Sequence, residues 1–344
     1  VQTRRENQRT IRLTDCTLRD GSYQNNFGFT ALDTAILSAR LDQAGFPEIE
    51  VGHGLGLMGA LRVGSAAAAT DAEYIDAARA SVKHARLGVF AIPGIATPAS
   101  VVDAARRGID ILKIGVVAGN IDHGEATVKL CRDNGVVPCV FFMQSSLVPA
   151  DVLADNAASA ANWGCARVYV VDSAGFMMPD DVTGYVSAIR ARADLAVGFH
   201  GHNNLHMAMA NVVAAVVAGA DSIDCTLRGL GRSSGNPQTE AVALVLSRLG
   251  YRTGIDIAAA IQAADEVIGT RFPGYGNAGI DLAAGFAGLH SRFVDDVNRI
   301  AEEYGLQPID LLLAVGERGQ ATDRIEILVE IARSVRSPKL QAAQ

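Results

Sequence analysis

The stretch 195-LAVGFHGHNNLHMAMANVVAAVVAGADSIDCTL-227 decides the fold. It reads as a strand over 195–202, an Ala/Val-rich helix over 207–220 that stops at a glycine signal, and a second strand over 221–227. The strands are nearly continuous apolar runs, the pattern of strands buried on both faces of a parallel sheet. Working outward, the alternation recurs. Strands are predicted at 11–17, 48–52, 87–92, 110–116, 136–142 and 167–172, with helical segments such as 31–45, 100–108 and 150–164 between them. Eight βα units in about 250 residues is the size of a (β/α)8 barrel. A doubly wound sheet is the alternative, but it usually carries a Gly-rich phosphate turn after its first strand, where this chain reads TLRDGSYQNN. The glycines of 54-GLGLMG-59 lack the dinucleotide pattern and are read as a loop. Beyond residue 255 the pattern is helical, at 257–269, 290–305, 308–319 and 322–337, and 271-RFPGYGNAGID-281 has the composition of a linker or lid. The expected architecture is a TIM barrel over 1–255 followed by a small C-terminal α-helical domain over 256–344, acting as lid or association surface.

The composition narrows the function. Of 344 residues, 49% are hydrophobic and 19% charged, enough for a large core. A net charge of −7 with no basic stripe points away from nucleic acid. The apolar stretches are too short, or too interrupted, to span a bilayer. The charged start VQTRRENQRT is not a signal peptide. The five cysteines are odd in number and lack CxxC spacing, so free thiols and a reducing cytoplasm are expected.

Two stretches carry candidate chemistry. His200 and His202 end the seventh strand two residues apart, so both side chains face one side. In a barrel, strand C-terminal ends form the catalytic face, and two imidazoles there can converge on one metal ion. Either histidine alone would be read as a strand cap bonded to backbone. The second stretch is 15-DCTLRDGSY-23, which places Asp15, Arg19 and Asp20 where the first strand meets that face. Taken alone, Asp20-Gly21 is a turn pair.

Together, TLRDG and the distant HGHNN resemble the DRE-TIM metallolyases, with the 4-hydroxy-2-oxovalerate aldolases as the nearest branch. The likeness extends through 169-YVVDSAG-175, 197-VGFHGHNNL-205, 229-GLGRSSGNPQTEA-241 and 285-GFAGLHSRF-293, over most of the chain. It implies that Asp20, His200 and His202 bind one divalent cation, Mn2+ or Mg2+. This cation would act as a Lewis acid on a 2-oxo acid such as pyruvate and stabilise the enolate left when the C–C bond breaks. By the same resemblance, Arg19 faces the enolate oxygen, Glu50 holds Arg19, Ser173 contacts substrate and Asn236 lies near the metal. The resemblance further implies an aldehyde as the second substrate, a possible aldehyde dehydrogenase partner at the C-terminal domain, and a homo-oligomer.

The chain departs from that branch at two positions. After TLRDGS the branch carries a histidine, the base for the C4-hydroxyl proton, and this chain has Tyr23. In the C-terminal motif, where the branch carries a tyrosine, this chain has His290. Imidazole, with a pKa of about 6.5, suits proton transfer at neutral pH better than a phenol at about 10. The expectation is therefore that His290 is the base and Tyr23 a donor or orienting group. Arg232 stands where small residues are usual; it either grips an anionic group of the substrate or pairs on the surface. His53 is a candidate for the pocket rim. His206, His84 and His123 are read as surface positions and Trp163 as packing. Competing readings are a Claisen-type acyltransferase joining acetyl-CoA to a 2-oxo acid, and a non-catalytic association subunit. Non-heme iron oxygenases and zinc amidohydrolase barrels use similar ligands in a different order along the chain.

Overall fold

The computed structural model describes residues 9–64, 67–289, 293–318 and 325–341. Eight parallel strands close into a barrel in chain order: β1 (Arg12–Asp15), β2 (Glu48–Val51), β3 (Arg86–Ala91), β4 (Ile111–Val117), β5 (Val137–Met143), β6 (Arg167–Asp172), β7 (Ala196–Gly201) and β8 (Ser222–Cys225). β1 pairs with both β2 and β8, which closes the ring. The helices of the barrel are α1 (Ala31–Gln43), α2 (Gly59–Val63), α3 (Asp71–Ser81), α4 (Pro98–Arg106), α5 (Glu125–Asp133), α6 (Ala150–Asn162), α7 (Pro179–Arg192), α8 (Ala208–Ala218), α9 (Thr239–Arg248) and α10 (Ile257–Ala263). Their starts follow from sequence: Thr30, Thr70 and Thr97 each cap a helix in a reciprocal capping box with Asp33, Glu73 and Ser100.

Strand parity sorts the residues. Val168, Val170, Val197 and Phe199 point out to the helices and join the main apolar core. Cys139, Phe141, Tyr169 and Val171 point inward and pack in the lumen. Glu48, Glu50, Lys113, Arg167 and Asp224 share that inward parity. Glu48 on β2 meets Arg167 on β6, and Lys113 on β4 meets Glu50 on β2 and Asp224 on β8. Strands so far apart in the ring can exchange contacts only across the lumen. Gly198 makes room for this packing, because a Cβ there would stand 2.4 Å from the Tyr169 ring.

After α10 the chain makes a π turn (Ala264–Gly269) and then α11 (Gly279–Ala287), α12 (Val294–Tyr304), α13 (Pro308–Glu317) and α14 (Ile325–Gln341). A second apolar core begins at Ala283 and runs through Ala332. Residues 257–269, assigned to the tail in the sequence expectation, instead contribute Ala260, Ala263, Ala264 and Ile268 to the barrel's core. Of the 271–281 linker, the last three residues are already helical. Among the described residues, no helix is long and apolar enough to cross a membrane.

Candidate metal centre

His200 and His202 lie at the C-terminal end of β7 with the inward parity expected of them. Both are buried, and their ring centroids are 5.2 Å apart. Asp20 comes from the turn after β1. Its Oδ2 is 3.7 Å from His200 Nε2 and 4.0 Å from His202 Nε2. One ligand atom from each of the three residues lies within 4.8 Å of the others.

The tautomers follow from the partners. His200 Nδ1 is 3.0 Å from Asp224 Oδ2, and a carboxylate can only accept, so Nδ1 carries the proton. His202 Nδ1 faces the Gly235 carbonyl at 3.3 Å, with the same result. Both Nε2 lone pairs therefore point toward Asp20. Burial also lowers the His202 pKa to about 4, which keeps its imidazole neutral and able to ligate. Burial disfavours the Asp20 charge, but opposing charge, chiefly that of the adjacent Arg19 guanidinium, holds the carboxyl below its ordinary value.

Asp20 Oδ2 is buried and has no hydrogen-bond partner, which is costly for a carboxylate oxygen in this setting. Two neutral imidazole nitrogens and one unpartnered carboxylate oxygen in a buried pocket are a donor set that fits a divalent cation.

The shell around these three is a chain of buried ions. Arg19 donates from Nε to Glu50 Oε1 and from Nη1 to Asp20 Oδ1, the latter at 2.8 Å. Burial opposes its charge, but Glu50 and Asp20 overcome that and raise its pKa further. Its Nη2 is buried and unpaired. Glu50 is held ionised against burial by Arg19 and Lys113. Lys113 Nζ lies 2.5 Å from Glu50 and 2.6 Å from Asp224. Sequence reasoning missed Lys113 and Asp224. Each is a charged residue at the inward position of an otherwise apolar strand, and that parity was the available signal.

Asn236 donates to the Gly201 carbonyl at 3.2 Å and lies 3.4 Å from His200 Nε2. Gly231 lets it approach, since a Cβ there would be 1.7 Å from Asn236 Oδ1. Tyr23 is partly buried beside the Asp20 turn, and burial raises its phenol pKa. The Arg232 guanidinium carbon stands 5.3 Å from the Tyr23 ring centroid.

The structure thus brings Arg19, Asp20, Glu50, His200, His202 and Asn236 together, with Tyr23 and Arg232 adjoining. Ser173 stands at the exposed rim, where its hydroxyl accepts the Gln144 N–H at 2.9 Å. His290 lies outside the described residues. Asp15, expected with Arg19 and Asp20, has outward parity and bonds Thr17 and Thr239 instead. His53 is buried, accepts the Ala60 N–H at 3.0 Å and lines a separate cavity of about 640 Å3 beside the loop after β2.

Fold and site together define a (β/α)8 barrel with a possible metal-binding cluster, Asp20, His200 and His202, at the C-terminal ends of its strands. The chain belongs to the HMGL-like family, whose model matches residues 10–267. Residues 279–336 match the DmpG-like communication domain. The 4-hydroxy-2-oxovalerate aldolase of Thermomicrobium roseum is 37% identical over 325 residues, covering 94% of this chain and 91% of that protein. The 4-hydroxy-2-oxovalerate aldolase 2 of Nocardia farcinica is 38% identical over 329 residues, covering 94% of each chain. Among solved structures, the HMG-CoA lyase of Brucella melitensis aligns with a TM-score of 0.62 at 19% identity, covering 74% of this chain and 96% of that one. The carboxyl transferase domain of Rhizobium etli pyruvate carboxylase aligns with a TM-score of 0.68 at 17% identity, covering 97% of this chain and 61% of that one. At such identities these two structures speak to the fold.

Proposed function

We infer that this chain is a divalent-metal-dependent aldolase that cleaves or forms a 4-hydroxy-2-oxo acid, with pyruvate as the common half. One observation carries the reading: Asp20 Oδ2, His200 Nε2 and His202 Nε2 converge beside an unpaired, buried Arg19 Nη2. The aldolase relatives match over nearly their whole length, which supports it.

Asp20, His200 and His202 would hold the cation, Mn2+ or Mg2+. When bound, it supplies Lewis-acid polarisation of the 2-oxo acid's ketone. Asp224 fixes the His200 tautomer, and Glu50 fixes Arg19. Arg19 Nη2 is then a preset donor for the oxygen that gains charge when the C3–C4 bond breaks. Asn236 orders the wall beside His200, and Ser173 and Arg232 contact substrate from the rim. His290 takes the C4-hydroxyl proton and Tyr23 orients that hydroxyl. Residues 279–336 dock an aldehyde dehydrogenase, as the communication-domain match supports, and the chain forms a homo-oligomer. Free thiols at all five cysteines agree with a cytoplasmic setting.

The test is pyruvate release from a panel of 4-hydroxy-2-oxo acids by the Mn2+-loaded chain, read with lactate dehydrogenase and NADH. Metal-dependent release that disappears in Asp20→Ala and His200→Ala is expected. No release from any member of the panel would refute the reading.

A further inference from the structure

The segment Gly231–Asn236 closes one side of the centre and is pinned on both flanks. Gln24, from the turn that also carries Asp20, donates to the carbonyls of Gly231 and Ser233, the residues on either side of Arg232. The Gln24 side-chain oxygen in turn accepts the Tyr275 hydroxyl. Asn204, two residues beyond His202, donates to the Ser233 hydroxyl at 2.9 Å. Asn203 N–H reaches the Gly235 carbonyl at 3.0 Å, and Gly235 N–H reaches the Arg232 carbonyl at 3.1 Å. The backbone of Arg232 is therefore fixed to both chain segments that supply the metal ligands.

Its side chain is positioned but unneutralised. The guanidinium rests over the Tyr23 ring, a cation–π placement, and takes part in no ion pair among the described residues. The other arginine of the centre, Arg19, is matched by Glu50 and Asp20. Tyr23 follows Asp20 by three residues in the same turn, so its ring ties Arg232 to the turn that supplies a metal ligand. An exposed cation seated over an aromatic ring of the Asp20 turn is a receptor for negative charge on a second substrate.

We propose that the aldehyde partner of this aldolase carries an anionic group, a carboxylate or a phosphate, and that Arg232 binds that group. The proposal rests on the aldolase reading above and specifies the half of the substrate which that reading leaves open. In the synthetic direction pyruvate loses a C3 proton and its C3 bonds to the aldehyde carbon. The aldehyde oxygen gains a proton, giving a 4-hydroxy-2-oxo acid with a second anionic group at its far end. Tyr23 bounds the path between the reacting carbon and that group. A neutral short-chain aldehyde leaves Arg232 without a counter-charge.

The test uses the full chain with Mn2+ and pyruvate, and compares kcat/KM for acceptors that differ in charge. Succinic semialdehyde is compared with pentanal, and glyceraldehyde 3-phosphate with glyceraldehyde. The charged member of at least one pair is expected to be favoured by about tenfold or more, the scale of a charge-assisted hydrogen bond. Which pair shows the preference separates carboxylate from phosphate. Arg232→Gln should collapse the ratio to near one, Arg232→Lys should restore most of it, and rising salt should erode it. A ratio near one in the unaltered chain, or a preference that survives in Arg232→Gln, would overturn the proposal. Solvent-deuterium exchange into the pyruvate methyl group, run without any aldehyde, separates the two levels. Exchange without charge preference defeats this inference alone, whereas absence of exchange defeats the aldolase reading and this inference with it.

Discussion

Replacing Asp224 with Asn tests how the centre is held without touching a ligand. Asp224 Oδ2 accepts from His200 Nδ1 at 3.0 Å and from Lys113 Nζ at 2.6 Å. The first contact fixes the proton on Nδ1 and leaves Nε2 free to face Asp20. The negative charge also favours that nitrogen as a ligand to a cation. Asn keeps the volume and one acceptor oxygen but removes the charge, and its amide can rotate to offer N–H instead. Lys113 retains Glu50 at 2.5 Å, so one charge partner survives in the lumen. Loss of such an outer partner weakens metal affinity by about 10- to 100-fold. That corresponds to about 1.4–2.8 kcal/mol. Mn2+ binding followed by the electron paramagnetic signal of the free ion reads this directly, with a urea curve on the same sample to show that the chain is folded. A folded Asp224→Asn chain that binds Mn2+ within twofold of the unaltered protein would refute the role given to Asp224.

Three further outcomes follow from the same geometry. Burial raises the Glu240 carboxyl from an ordinary 4.5 to about 8. A raised carboxyl contributes stability that is full below its unfolded pKa and is lost as pH climbs through its folded one. Glu240→Gln should therefore gain stability relative to the unaltered chain from about pH 5 to about pH 8, on a scale of about 1.4 kcal/mol per pH unit, and level off above that, in paired urea titrations; parallel pH curves would contradict this. His290→Ala should lower aldol cleavage by about 100-fold or more and Tyr23→Phe by less, as expected if His290 is the base; the reverse order in a stopped-flow pyruvate assay would exchange the two roles. Gly231→Ala should cut turnover by at least about tenfold although it removes no polar group, because the new methyl displaces Asn236 from beside His200; unchanged turnover would show that Asn236 is dispensable.

The barrel was legible because its strands are buried on both faces and read as unbroken apolar runs. All eight predicted strands fall within two residues of the observed ones. The pair His200 and His202 was legible because spacing two, at a strand end, means one face and one destination. Asp20 was reached only through the resemblance that its TLRDG context carries. Asp15 was misplaced toward the site because the count along β1 was not made: Thr14 points inward, so Asp15 must point out, toward Thr239 on α9. The same count would have marked Lys113 and Asp224 as lumen charges. Helix α10 was assigned to the tail because it follows the last strand. Its apolar side instead joins the barrel's core, and amphipathic pattern alone does not name the surface that a helix covers.

The central claim is that Asp20, His200 and His202 hold a cation where pyruvate is activated. Incorporation of deuterium from solvent into the pyruvate methyl group, followed by proton NMR with and without Mn2+, tests it most directly. The account predicts exchange that depends on Mn2+, stops on chelation and is lost in His202→Ala. Exchange that is absent with Mn2+ bound, or that persists in a chain stripped of metal, would contradict it.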